Sequence, residues 1–165
     1  MLNYDHLLEY TDWQRESWHD WFARQGASSL AVTAGPHGDG RLNTVGEIVR
    51  HIFSAEHRYI DRMNDRALID AAALPAADDI DALFRFGNDS RAALRSFIAA
   101  LPPDQLDVAR ELTIVAVTRT LTPRKILVHV VLHEIRHWAQ IATLLRLQGR
   151  KVDFHDFLIC PVMAP

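Results

Sequence analysis

The feature that most constrains this sequence is one uninterrupted helical pattern near its C-terminal end, residues 123–148. Thr122 is a good N-cap, and Pro123 stands at the first helical position, where its missing N–H removes no intrahelical bond. At the other end, Arg146 puts a cation in the last turn and Gly149 follows as the C′ residue. Between these signals lie about seven turns, with Leu127, Val131, Ile135, Trp138, Ala142 and Leu145 on one face. A helix this long has to bury its apolar stripe, so the rest of the chain must supply elements of similar length.

Three further segments answer that demand. Residues 3–24 carry Leu7, Leu8, Trp13, Trp18, Trp21 and Phe22, and a Gly/Ser/Pro-rich loop follows over residues 26–40. A second helix opens at Thr44-Val45-Gly46-Glu47, a capping box in which Glu47 reaches back to the Thr44 N–H. Val45, Val49, Ile52, Tyr59 and Met63 recur at helical spacing, and the helix is expected to end near residues 65–70. A third starts at Asp78 or Asp79, where acidic residues suit a helix N-terminus, and runs to Ala100 before Pro102-Pro103. Residues 111–120 are rich in β-branched side chains and read as an extended excursion that can form a short hairpin. The expected fold is all-α: a four-helix bundle with a short extended excursion before the last helix, one domain over residues 1–165, its tail (151–165) packing back on the bundle.

Composition narrows the functional classes. A net charge of −3 offers no general basic surface for nucleic acid. No apolar run approaches the ~20 residues that span a bilayer, and the first residues form neither a basic nor an apolar leader segment. One cysteine, Cys160, rules out an intrachain disulfide and reads as packing. A cytoplasmic protein with no membrane or nucleic-acid partner is expected.

The nine histidines are the anomaly, because His129, His133 and His137 fall at strict four-residue spacing on the last helix. Positions four apart lie one turn above each other, so two imidazoles can point at one ion. Relative to the apolar face, His137 lies nearest, His133 is intermediate and His129 nearly opposite, which favours His133 and His137 as ligands. The run His133-Glu134-Ile135-Arg136-His137 also matches H-E-x-x-H, in which the glutamate is general base on a zinc-bound water. No downstream Gly-x-x-His continuation supports a peptidase. On the second helix His51 sits on the flank of the apolar face, Glu56 near its centre, and His57 on a third, solvated side.

The order and spacing of these segments resemble the DinB family. The matching residues are the aromatic first helix (Tyr10-Thr11-Asp12-Trp13), the second helix from Thr44 through His51 to Glu56, and the last helix from His129 through His133 and His137 to Ile141, followed by Leu145-Arg146-Leu147-Gln148-Gly149. The resemblance implies an up-down-down-up bundle with one divalent metal held by His51, His133 and His137. Where the family commonly has Arg or His and then Gly after the last ligand, this chain has Trp138-Ala139, a change that would act at the pocket mouth.

Three imidazoles with open positions suit Zn²⁺, Ni²⁺, Fe²⁺ or Mn²⁺ without distinguishing them, and open positions mark catalytic sites. The metal could activate a bound water, as in a hydrolase, and the resemblance further implies a low-molecular-weight thiol as co-substrate, activated as a metal-bound thiolate that attacks a small electrophilic substrate. Glu134 is the candidate general base or imidazole acceptor, its alternative being a buried carboxylate paired with arginine. An H-E-x-x-H zinc peptidase and a non-catalytic metal-binding stress-response protein are the other two readings. Four tryptophans, more than one small core needs, suggest a homodimer.

Overall fold

A computed structural model describes residues 3–38, 40–114 and 116–163. Four long helices dominate it: α1 (Tyr4–Gln25), α2 (Val45–Met63), α3 (Ile80–Ala100) and α4 (Pro123–Leu147). Between α3 and α4 an antiparallel hairpin pairs β1 (Arg110–Ile114) with β2 (Val117–Leu121), Arg110 opposite Leu121 and Ile114 opposite Val117. The extended excursion is thus a regular two-stranded sheet, and the strict all-α designation does not hold. Its turn is tight, with Ala116 at φ 62°, the left-handed conformation that short hairpin turns demand. Val115, within the same stretch, and the terminal residues 1, 2, 164 and 165 lie outside the described residues.

The caps explain where the helices begin and end. Thr122 accepts a hydrogen bond from the Lys125 N–H at the start of α4. At its end Gly149 adopts φ 72°, the Gly149 N–H donates to Arg146 and the Arg150 N–H to Leu145, a Schellman closure of the last carbonyls. Thr44 caps α2 as expected, but Glu47 accepts from the Asn43 N–H, not from the Thr44 N–H. The strand-like bridge between Thr33 and Thr44 turns the incoming chain so that Asn43 is the donor within reach. The helix ends at Met63, earlier than its periodicity suggests, with Asn64 as cap. Gly46 lies so close to the Ala77 carbonyl that a Cβ would come within 1.9 Å of the oxygen, which fixes the approach of the 64–79 linker to α2.

Each helix crosses the interior in three stages. One apolar cluster gathers Trp18, Phe22, Ile52, Phe53, Phe84, Trp138 and Leu145; a second gathers Leu8, Ile60, Met63, Leu94, Val130 and Val131. Between them, in the middle of each helix, sits one buried charged residue: Arg15, Glu56, Arg91 and Glu134. Following the chain, α1 and α4 run from the second cluster to the first, and α2 and α3 run the opposite way. Helix α2 packs on α3 and α4, and α1 packs on the same two. Trp18 and Trp138 stack 5.3 Å apart in the first cluster; truncating either to Ala is expected to cost about 3–5 kcal/mol.

Three of the four tryptophans (18, 21 and 138) are buried within the chain, so the aromatic surplus that suggested a second subunit is absorbed by this core. The tail folds back as expected, His155 stacking on Trp18 at 4.4 Å and its carbonyl accepting from the Tyr10 hydroxyl. Phe154 and Leu158 nevertheless stay exposed. No helix among the described residues is long and apolar enough to cross a membrane.

Candidate metal centre

His51, near the start of α2, and His133 and His137, in the middle of α4, come together where these two helices pack. His51 Nε2 lies 3.1 Å from His133 Nε2, which lies 3.2 Å from His137 Nε2. The potential ligand atoms of all three lie within 4.8 Å of one another. Around a single ion with metal–nitrogen bonds of about 2.0–2.1 Å, adjacent ligand nitrogens stand roughly 3.0–3.4 Å apart. The residues present therefore fit a three-imidazole metal site, and the described residues bring no other group of three such side chains together.

Burial falls along the α4 stripe in the order its geometry dictates: His137 is buried, His133 half-buried and His129 exposed. His51 reaches the cluster from the flank of the apolar face of α2, which places the site beside the core and not within it. His129 stays at the rim, its ring 5.2 Å from that of Tyr59. His57 is not solvated as its helical position suggested. It is half-buried between α2 and α3, with Nδ1 3.4 Å from Ser90 Oγ and Nε2 3.6 Å from Asp61. It takes no part in the triad. Cys160 is buried in the tail, apart from the triad, with Sγ 4.0 Å from the Val162 carbonyl.

A glutamine fixes the tautomer of one candidate ligand. His137 Nδ1 is 2.7 Å from Gln140 Oε1. The amide oxygen can only accept, so Nδ1 carries the proton and the Nε2 lone pair faces the other histidines. Gln140 is itself anchored, donating through Nε2 to the His37 carbonyl in the 26–40 loop. Arg136 Nη2 stands 3.1 Å from His137 Nε2, where a guanidinium competes with a metal for the lone pair and must swing aside when one binds. Sequence reasoning did not single out Gln140. Its only signal was an amide one turn beyond a candidate ligand.

The surroundings of His51 and His133 favour their neutral form. Burial, then the neighbouring His137 and the guanidinium groups of Arg41, Arg136 and Arg58, lower the His51 pKa to about 4. Burial and the adjoining histidines lower that of His133 to about 2. Neutral imidazole is the form that ligates metal. A cavity of about 280 Å³ opens beside the triad, lined by His51, His133, Arg41, Arg58, Arg62 and Arg136 among others.

Glu134 faces the other way. Its Oε1 accepts from Arg15 Nε at 2.7 Å and from Trp138 Nε1 at 3.1 Å, and its Oε2 accepts from Arg15 Nη2 at 2.8 Å and Arg91 Nη2 at 2.7 Å. Burial alone would raise its pKa, but the Arg15 and Arg91 guanidiniums hold it below the ordinary carboxylate range. Glu56, the other ambiguous carboxylate, joins the same network through Arg15 and Arg91. Trp138 is likewise in the core, so the Trp138-Ala139 departure does not put an indole at the mouth of the metal cavity.

The DinB family model matches residues 1–164, essentially the whole chain. The chain belongs to the DinB family. Its three converging histidines are those to which the family resemblance assigned the metal. No curated protein matches the sequence significantly.

Proposed function

We propose that this DinB-family protein is an enzyme that holds one divalent metal ion through His51, His133 and His137 and uses it to activate a small thiol, or water, for attack on a small electrophilic substrate. The observation that carries the reading is the convergence of three imidazoles beside a cavity. With only three protein ligands, coordination positions remain for an exogenous group, the arrangement of catalytic sites. The metal, when bound, supplies Lewis acidity that lowers the pKa of a coordinated thiol or water. The chain's own residues do the rest. Gln140 holds the His137 tautomer, and the core side of α4 keeps the ligands in place through Glu134 and Trp138. The opposed courses of α1/α4 and α2/α3 through the two apolar clusters support the family's up-down-down-up arrangement. A cytoplasmic location fits the single buried cysteine, and a homodimer remains a proposal for which the exposed tail residues Phe154 and Leu158 offer a surface.

The zinc-peptidase reading is disfavoured by a specific contact set. A general base must have a carboxylate oxygen free beside the metal-bound water, whereas both oxygens of Glu134 are committed to Arg15, Arg91 and Trp138 in the core. The deciding experiment assays metal-loaded protein on an epoxide or halogenated aromatic with and without an added low-molecular-weight thiol, and on an unfolded peptide without thiol. Thiol-dependent turnover that vanishes with chelator, returns with metal and survives Cys160→Ser is expected. Thiol-independent peptide cleavage abolished by Glu134→Gln would overturn the reading in favour of a peptidase. Inactivity in every assay would favour the non-catalytic metal-binding protein.

A further inference from the structure

The charged residues around the metal cavity are all of one sign. Among the described residues Arg41, Arg58, Arg62 and Arg136 line it, with no aspartate or glutamate. A second cavity of about 230 Å³ adjoins it, sharing Tyr59, Ile114 and His129 as wall, and its charged lining residues are Arg119 and Lys125. Among the described residues six cations and no carboxylate thus line the two cavities, in a chain whose acidic residues outnumber its basic ones, 21 to 18.

These cations are also unspent. Elsewhere six arginines pair, Arg15 and Arg91 with Glu56 and Glu134, Arg24 with Asp153, Arg66 with Asp61, Arg95 with Asp12, and Arg124 with Asp107, whereas Arg50, Arg85, Arg110, Arg146 and Arg150 have no ion pair among the described residues. Among the described residues none of the six around the cavities has a carboxylate partner. Arg62 donates to the Thr113 and Arg58 carbonyls and Arg136 reaches His137 Nε2, while the Arg41, Arg58, Arg119 and Lys125 side chains make no protein hydrogen bond there. Guanidinium groups beside a divalent cation repel it and weaken its binding. That cost is relieved only when an anion enters between them, and a forked guanidinium is suited to carboxylate and phosphate oxygens.

We propose that the substrate of this site is an anionic small molecule whose carboxylate or phosphate oxygens are held by Arg41, Arg58 and Arg136 beside the metal position, with a second anionic group reaching along the hairpin to Arg119 and Lys125. The proposal rests on the metal-site reading for the place of reaction, but the anion site itself is built from residues that are not ligands. The hairpin then has a role in binding, since Ile114, Arg119 and Leu121 form one wall of the second cavity. The dimensions of the two cavities suit a metabolite and not a macromolecule.

The test is a titration of ¹⁵N-labelled protein, metal-free and zinc-loaded, with glutarate, its neutral diamide and inorganic phosphate, followed by amide shifts. Saturable glutarate binding is expected, with shifts at residues 58, 62, 114 and 136, no matching response to the diamide, and weakening at raised salt. Arg58→Gln and Arg119→Gln should each weaken glutarate by about tenfold or more, the loss of one charge-assisted hydrogen bond. Arg24→Gln, an equal charge change away from the cavities, should leave it unaltered. Tighter binding of phosphate than of glutarate assigns the oxyanion to a phosphate ester, and the reverse assigns it to a carboxylate. Equal binding of the diamide, indifference to Arg58→Gln, or binding that is lost only with His133→Ala would overturn the proposal. Arginine-dependent glutarate binding in a protein that takes up no metal would refute the metal reading and leave this one standing.

Discussion

His133 and Glu134 are neighbours on α4, yet they belong to two polar centres of opposite character. Glu134 points into the layer between the two apolar clusters, where two carboxylates meet two guanidiniums and Glu134 has a donor on both oxygens. His133 points outward, to a cluster of three imidazoles and a cavity lined, among the described residues, by cations and no anion. The first centre is balanced in charge, two carboxylates against two guanidiniums, so it holds helices together, although Glu56 Oε1 has no hydrogen-bond partner among the described residues. The second gathers three imidazoles and four guanidiniums whose charge no carboxylate among the described lining residues balances. Burial of polar residues alone does not distinguish the two centres; the balance of charge does.

The sharpest way to break this comparison is to delete one member of each centre. Glu134→Ala leaves the buried Arg15 and Arg91 short of a carboxylate and is expected to cost about 3–5 kcal/mol in urea unfolding of the metal-free protein. His133→Ala, a half-exposed ring with no charge to strand, should change stability by less than about 1 kcal/mol under the same conditions. Equal losses would mean that the triad is also part of the structural frame.

A smaller effect is expected one step behind the ligands. Gln140→Ala frees the His137 ring to take the wrong tautomer and should weaken metal binding by about 10–100-fold in a competition titration with a chromogenic chelator, with the fold unchanged by circular dichroism. An unaltered affinity would show that the Gln140–His137 bond does not orient the ligand.

The acid limb gives the mildest test. His51 and His133 titrate lower in the folded chain than the ordinary imidazole value of about 6.5. Below that pH the unfolded chain binds protons that the folded chain does not, so their contribution to stability is full above about pH 6.5 and is lost as pH falls towards about 4. In denaturant unfolding of metal-free protein, the double variant His51→Ala/His133→Ala should show a shallower acid decline than the parent. Parallel declines would place the acid sensitivity elsewhere.

Local chemistry made much of this legible from sequence. Thr122, Pro123 and Gly149 announce α4 because caps are satisfied by residues adjacent in the chain. The burial order of His137, His133 and His129 follows from helical geometry alone. What the sequence hid depends on which helices become neighbours. Whether Glu134 met a metal or an arginine could be decided only by the placement of α1 and α3, which bring Arg15 and Arg91 from 119 and 43 residues away. The same holds for His57, which reads as solvated on its own helix but lies against Ser90 of α3. The hairpin was visible as β-branched composition, whereas its use as a cavity wall depended on its packing beside Tyr59 and His129. A chain with neutral-to-acidic totals also gave no sign that six of its cations would line two adjoining cavities.

The central claim is that the outward centre holds a metal and the inward one does not. The most direct measurement is metal content per chain, by elemental analysis of protein purified without an affinity tag and reloaded with Zn²⁺ or Ni²⁺. About one equivalent is expected in the parent protein, in His129→Ala and in His57→Ala, and close to none in His51→Ala, His133→Ala and His137→Ala. Undiminished metal in the His133→Ala and His137→Ala variants would contradict the account.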